Sequence, residues 1–300
     1  MNVMDTGAQL SSPTTEIREP LGEGLTRIWE VDEVIVDTKT EFQHLVIAKT
    51  AQGVSLFCDN DRQSTDFSQL TYHEALMVPA LLLADKVDRV LVIGSSEGVV
   101  CQMAVAAGAT VVDHIDIDSQ AVKLCAEHLP YGYTQDELAK AEKGEGPIRV
   151  KYIDGWEYIR TSAEGPDAVK YDIVLVDLPD EREEEAQHNR LYGEEFLRMC
   201  KALLTPGGVV VTQAGCQTMW RNKTLIRSFQ RFNDVFDTIV YYGSDEHEWA
   251  YLFGRADVVE DPTTLMAERL QTSGYQPETI DDLALLSGSI PPFTVRNSLA

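Results

Sequence analysis

What the chain lacks narrows its function before any motif is read. No apolar run approaches the ~20 residues that a membrane-spanning helix needs. The opening residues, MNVMDTGAQLSSPTTEIREP, have neither the basic start nor the apolar stretch of a secretory leader. The expectation is a soluble, cytoplasmic protein that binds no membrane, with residues 1–20 forming a flexible tail. Its five cysteines are scattered and form no CxxC pair, which speaks against zinc ribbons and redox motifs and for free thiols. Six histidines show no HExxH spacing, so no metal site is expected. Positive charge is scarce: 25 Lys and Arg face 49 Asp and Glu, leaving a formal charge of −24. Such a surface repels nucleic acid and anionic lipid. It suits cationic partners, or simply keeps the protein solvated.

What is present is ordinary for a globular protein with a sizeable core. The 300 residues are 44% hydrophobic, enough for one large domain with a small one attached. Over residues 21–70 the runs TRIWEVDEVIV, QHLVIAKT and VSLFCDN alternate with period two, and Asp59-Asn60-Asp61 supplies a turn. This predicts a small antiparallel β-domain. Residues 71–300 read differently. A helix over TYHEALMVPALLLADK, kinked or divided at Pro79, comes first. Strands at RVLVIG, TVVDHIDI, IRVKYI, YDIVLVDLPD and GVVVTQAG then alternate with helices, the pattern of a parallel, doubly wound sheet. DTIVYYG and WAYLFGRA would extend it as a hairpin. The predicted fold class is therefore α/β, a Rossmann-like domain of the S-adenosylmethionine-dependent methyltransferase type. Two polar insertions, 132–147 and 181–190, interrupt it.

Ligands of such sheets bind outside the carboxyl ends of the strands. Gly94-Ser95-Ser96-Glu97-Gly98 follows the first strand and opens a helix, presenting backbone amides. Asp116 and Asp118 end the second strand, about 20 residues on, where a carboxylate accepts hydrogen bonds from a ribose diol. Asp154-Gly155 ends the third, within reach of an adenine amino group. Glu97 argues against a dinucleotide, because a carboxylate beside a pyrophosphate is repulsive, whereas beside a sulfonium or ammonium it attracts. Asp177 and Asp180 end the fourth strand on a loop opened by Pro179, and both can converge on an alkyl ammonium. That ammonium must lose a proton before attacking carbon, and a carboxylate in hydrogen-bond reach accepts it.

The runs RVLVIGSSEGVV, HIDID, YIDGWEYI, YDIVLVDLPD, LYGEEF and LLTPGGVVVTQAG, with EFQHLVI, DNDRQS and TYHEALMVPALL upstream and IPPFTVRNSLA downstream, resemble the polyamine aminopropyltransferases. The likeness covers about residues 26–300. Glu97, Asp116, VTQAG and VRNSLA look closest to the thermospermine-synthase branch. The resemblance implies a homodimer or homotetramer, decarboxylated S-adenosylmethionine as donor and a small amine as acceptor, with no metal. It places Gln43 and Glu97 on the donor's methionine-derived end, Asp116 on the ribose, and Asp154, Gly155 and Gly94 around the nucleoside. Asp177 would orient and deprotonate the amine. Gln63, Tyr72 and Asp180 would line the amine path, with His73 where many members carry glutamine.

The chain also departs from the family pattern. GSSEGV replaces a glycine-rich loop, Cys101-Gln102 an Arg-Glu pair, Ser68-Gln69 an Asp-Glu pair, and Glu181 a proline. GSDEHEW stands where a tyrosine-proline-serine-glycine segment is usual, with Ser244 near the tyrosine position. Asp245, Glu246, Glu248 and Glu181–Glu185 either hold a longer, multiply charged amine or are solvated surface. Trp29 and Trp249 read as packing or as cation–π walls, Cys101 and Cys125 as core, and His114 as structural. The alternatives are an amine N-methyltransferase using intact S-adenosylmethionine and a non-catalytic polyamine or nucleoside binder.

Overall fold

The computed structural model describes residues 15–22, 24–162, 169–181 and 186–299. An antiparallel hairpin, β1 (Thr15–Gly22) and β2 (Leu25–Val31), precedes a four-stranded antiparallel sheet. That sheet comprises β3 (Glu33–Lys39), β4 (His44–Thr50), β5 (Gly53–Cys58) and β6 (Asp61–Thr65), in that order. Residues 15–20 of the tail expected over 1–20 are strand instead, with Ile17 and Glu19 alternating inward along β1 and buried, and residues 1–14 lie outside the described residues. Period two explains the sheet. Leu45 and Ile47 face one side of β4 and Val46 and Ala48 the other, and both sides are covered. The hairpin packs on Val46, Ala48 and Phe57 through Ile17, Trp29 and Val31.

Helix α1 (Gln69–Leu83) leads into the larger layer. Pro79 lies inside it without dividing it: every residue from His73 to Leu83 is buried, and that packing outweighs one lost rung of the ladder. The chain then runs through β7 (Arg89–Gly94), α2 (Val99–Ala106), β8 (Val111–Asp116), α3 (Ser119–His128), α4 (Gln135–Glu142), β9 (Ile148–Tyr152), α5 (Gly155–Ser162) and β10 (Tyr171–Asp177). It continues as α6 (Glu194–Ala202), β11 (Leu204–Cys216), α7 (Lys223–Val235), β12 (Thr238–Gly243) and β13 (Trp249–Arg255). Helices α8 (Pro262–Leu270), α9 (Asp282–Gly288) and α10 (Phe293–Arg296) follow. The seven strands lie in the order β12-β13-β11-β10-β7-β8-β9, all running the same way except β13, which is antiparallel to both its neighbours. This is the predicted α/β architecture.

One face of the sheet is covered by α1, α2 and α8 and the other by α5, α6 and α7. Helix α3 presents Ala121 and Cys125 to Leu45, Leu56 and Cys58, locking the small sheet over the strand ends. The polar insertion 132–147 holds structure of its own: α4 starts at a capping box made by Thr134 and Glu137.

Strand order reverses around β7, whose neighbours are β10 and β8. A crevice therefore opens at the carboxyl ends of these strands. Gly94, opposite Asp177 in the ladder, makes the crevice tight. It has φ +79°, and a Cβ there would lie 2.1 Å from the Asp177 carbonyl oxygen, so only glycine fits.

Candidate active site

The crevice encloses a cavity of about 370 Å³. Of the residues expected at the site, Gln43, Gln63, Tyr72, Gly94, Glu97, Asp116, Asp154, Gly155 and Asp177 line it. His73 and Asp180 do not. His73 follows Tyr72 by one helical position, about 100° around α1. It is buried and donates from Nδ1 to the Gln69 carbonyl at 2.7 Å. Its imidazole meets Tyr72 edge-on, at 5.3 Å between centroids. Asp180 lines a separate, smaller pocket beyond Leu178 and Pro179.

On the nucleoside side, each Asp116 oxygen already has one donor. Asp118 N–H reaches Oδ1 at 2.8 Å and the Ser96 hydroxyl reaches Oδ2 at 2.8 Å. The carboxylate is thereby aimed, with lone pairs to spare for a diol. Burial pushes its pKa up to about 6, against those two hydrogen bonds. Asp118, also on the cavity wall, is the N-cap of α3, accepting from Ala121 N–H at 3.0 Å. Its other oxygen accepts from Thr40 (2.6 Å) and from Gln43 Nε2 (3.1 Å), which joins the small sheet to the large one. Asp154 is more committed than expected. Its Oδ1 accepts the Trp156 amide at 2.9 Å at the start of α5, and its Oδ2 is ion-paired with Arg190.

Glu97 is buried, and burial raises its pKa. Across the cavity, Tyr72 Oη donates to Asp177 Oδ1 at 2.5 Å. Burial first, and then the nearby Glu97 charge, push Asp177 up to about 6, while the Tyr72 hydrogen bond pulls it back. A buried carboxylate poised near neutrality is suited to accept a proton and release it again.

The remaining acidic residues resolve differently from one another. Glu248 takes a bidentate pair from Arg27, at 3.0 and 2.9 Å, and a further bond from Arg62. Burial alone would raise its pKa, but the Arg27 hydrogen bonds and the charges of Arg62, Arg27 and Arg221 together outweigh it and bring it down to about 2. Glu181 is held by Arg231 at 2.9 and 3.0 Å. Neither is free to grip an amine. Asp245 and Glu246 are exposed, and residues 182–185 lie outside the described residues. Both tryptophans are buried and face arginines: Arg221 sits 4.8 Å from the Trp249 ring, and Arg27 and Arg62 sit 5.8 and 5.9 Å from Trp29. His114 is structural, bonded to Gly94 O at 2.8 Å and to the Tyr133 hydroxyl at 3.0 Å. All five cysteines are free and buried.

Sequence reading missed the arginines that occupy Glu248 and Glu181, and it missed Arg190 on Asp154. These partners lie 221, 50 and 36 positions away from the acids they hold, so no local pattern reveals them. It also missed Ser96 as the group that orients Asp116, although Ser96 stood in the loop already singled out. Among the described residues, no group of three or more His, Cys, Asp or Glu is placed to hold a metal ion. Nor, among them, is any helix long and apolar enough to cross a membrane.

Comparison with known proteins identifies a family and a fold. A family model described as the spermine/spermidine synthase domain matches residues 69–243. A polyamine aminopropyltransferase of Aeropyrum pernix is 29% identical over 247 residues, covering 78% of this chain and 72% of its own. Polyamine aminopropyltransferase 2 of Hyperthermus butylicus is 31% identical over 265 residues, covering 86% and 82%. Among solved structures, a spermidine synthase in complex with the transition-state analogue AdoDATO superposes with TM-score 0.81 at 17% identity, covering 98% of both chains. The spermidine synthase of Thermotoga maritima gives 0.78 at 16% identity, covering 100% of this chain and 99% of that one.

Proposed function

Because this chain belongs to the spermine/spermidine synthase domain family, we propose that it moves the aminopropyl group of decarboxylated S-adenosylmethionine onto a small amine and releases 5′-methylthioadenosine. It is a transferase, like the aminopropyltransferases it matches. The observation that carries the reading is the Tyr72–Asp177 pair, set in the same cavity as Asp116 and Glu97.

In this reading Asp116, aimed by Ser96 and the Asp118 amide, accepts the ribose hydroxyls. Gly94 and Gly155 give the nucleoside room. Asp154 marks the adenine edge, its carboxylate serving chiefly as the N-cap of α5. Glu97 and Gln43 face the sulfonium end, where the buried Glu97 carboxylate favours a positively charged donor and repels the extra carboxylate of the intact one. Decarboxylated S-adenosylmethionine supplies a carbon made electrophilic by its sulfonium. Asp177 takes one proton from the acceptor's ammonium and so frees its lone pair. The nitrogen bonds to the propyl carbon as the carbon–sulfur bond breaks, and that bond's electrons stay on sulfur as a neutral thioether. The site's main contribution is alignment plus a neutral nucleophile.

Of the features resembling thermospermine synthases, Glu97 and Asp116 lie on the donor side in this reading and do not choose the acceptor, whereas VTQAG carries Gln213 into the small pocket beside Asp180. Assembly as a homodimer or homotetramer and a cytoplasmic location belong to the same reading and rest on family likeness. The test is mass spectrometry of products after incubation with decarboxylated or intact donor and a panel of amines. An aminopropyl adduct formed only with the decarboxylated donor is expected. Methyl transfer from the intact donor would replace the reading with an N-methyltransferase, and absence of turnover with every pair would sink it.

A further inference from the structure

Three non-glycine residues among those described have a positive φ: Asp59 (+51°), Asn60 (+69°) and Ser95 (+59°). Asp59 and Asn60 form the turn between β5 and β6, where short Asx side chains suit the left-handed region. Ser95 lacks that Asx chemistry. It follows Gly94 at the end of β7, where glycine would adopt the same backbone without cost. The conformation is fixed from both sides: Ser95 N–H donates to the Asp177 carbonyl at 3.0 Å, and the Ser95 carbonyl accepts from Gly98 N–H at 2.9 Å. A side chain kept on strained backbone at a ligand crevice points to a use for that side chain.

Ser95 is 5% exposed and lines the main cavity together with Tyr72, Glu97 and Asp177. Its Oγ is buried without a hydrogen-bond partner among the described residues. Gly94, its neighbour, pairs with Asp177 in the ladder, so the Ser95 hydroxyl and the Asp177 carboxylate issue from adjacent strand ends. They are near enough for the hydroxyl to favour the charged carboxylate, a small effect after those of burial, Glu97, Tyr72 and His73. Tyr72 already holds Asp177 Oδ1, which leaves Oδ2 for an ammonium. A hydroxyl has one proton and two lone pairs. Ser95 can therefore turn its proton toward a carboxylate and still accept from a nitrogen bound there.

We propose that Ser95 touches the attacking amine: Asp177 takes one proton from the ammonium while Ser95 Oγ accepts a hydrogen bond from a second N–H. Two contacts fix the rotation of the nitrogen about its own C–N bond, so that the freed lone pair is aimed at the propyl carbon. Ser95 gains no proton and no charge; the proton removed goes to Asp177 and the carbon–sulfur electrons stay on sulfur. The contact rests on the aminopropyl-transfer reading for its purpose and adds a second group that holds the nucleophile.

The test uses the full chain and two variants. Ser95→Ala removes the hydroxyl but keeps Cβ, whereas Ser95→Gly removes both and suits the backbone. Ser95→Gly should unfold about 2 °C above wild type and Ser95→Ala within about 1 °C of it, so a loss of function in either is not a loss of fold. With decarboxylated S-adenosylmethionine and putrescine or spermidine, both variants should lose about tenfold in kcat/KM for the amine, as loss of a hydrogen bond to a charged group does. By calorimetry, the amine should bind each variant loaded with 5′-methylthioadenosine about tenfold more weakly, with affinity for 5′-methylthioadenosine unchanged. Variants that bind and turn over the amine like wild type would overturn the contact. So would an equal loss of nucleoside affinity, which would make Ser95 part of the donor's wall. Wild-type protein that binds amine but transfers nothing removes the transfer reading, and the difference in amine binding still decides Ser95. Wild-type protein that binds neither amine overturns both.

Discussion

Tyr72 and Asp177, 105 positions apart in sequence, are joined by a 2.5 Å hydrogen bond from the phenol to the carboxylate. The bond brings α1, which leads out of the small sheet, against the end of β10 at the centre of the large one. It also sets the carboxylate's proton affinity, because Tyr72 stabilises the charged form against burial and against Glu97.

Tyr72→Phe removes that stabilisation. The Asp177 pKa, already about 6, should rise further, by roughly one unit for the loss of a hydrogen bond to a charged group. A base works only when deprotonated, so activity appears as pH rises through the pKa. The acid limb of kcat/KM should thus shift upward, with a larger loss at pH 6.5 than at pH 8.5. A pH profile parallel to wild type would refute this coupling.

Asp177→Asn should lower turnover by at least ~100-fold, as loss of a general base does. The acid limb near pH 6 should disappear with it. Equilibrium binding of 5′-methylthioadenosine should survive, since Asp116 and its donors are untouched. Near-normal turnover in this variant would take Asp177 out of the chemistry.

Asp116→Ala should act on binding rather than on the chemical step. The expected result is a rise of tenfold or more in donor KM with kcat little changed. Ser96→Ala, which only loosens the aim of that carboxylate, should show the same pattern more weakly. A fall in kcat alone would contradict the assignment.

Glu248→Gln leaves Arg27 and Arg62 without their shared anion. Breaking a largely buried ion pair of this kind costs about 3 kcal/mol. The wild-type carboxylate titrates at about 2 instead of its ordinary 4.5, so its contribution is complete above pH 4.5 and fades as pH falls toward 2. Denaturant melts should therefore show a wide gap between wild type and variant at pH 7 and a narrowing gap below pH 4.5. A gap independent of pH would mean the charge is not what stabilises this corner.

Most of the large layer was legible because its strands are buried on both faces and read as short apolar runs closed by glycine or aspartate. The placing of Gly94, Glu97, Asp116 and Gly155 on the crevice wall was legible for the same reason, since strand ends locate the crevice. The surroundings of the acids beyond β10 were not. Asp177 and Asp180 look like one motif in sequence yet face two compartments, divided by Leu178 and Pro179. The acidic run 245–248 looks like an amine clamp, but its one inward carboxylate is taken by arginines from β2 and β6. Strand β1 escaped notice because eight residues with only two buried side chains carry little periodic signal.

The hairpin β1–β2 stacks on the small sheet and sends Arg27 to Glu248 in the loop before β13, whereas the crevice opens at the ends of β7, β8, β9 and β10. Substitutions in the hairpin therefore reach the Glu248 corner before they reach any strand-end group of the crevice, so the leading strands can diverge while that cavity keeps its shape.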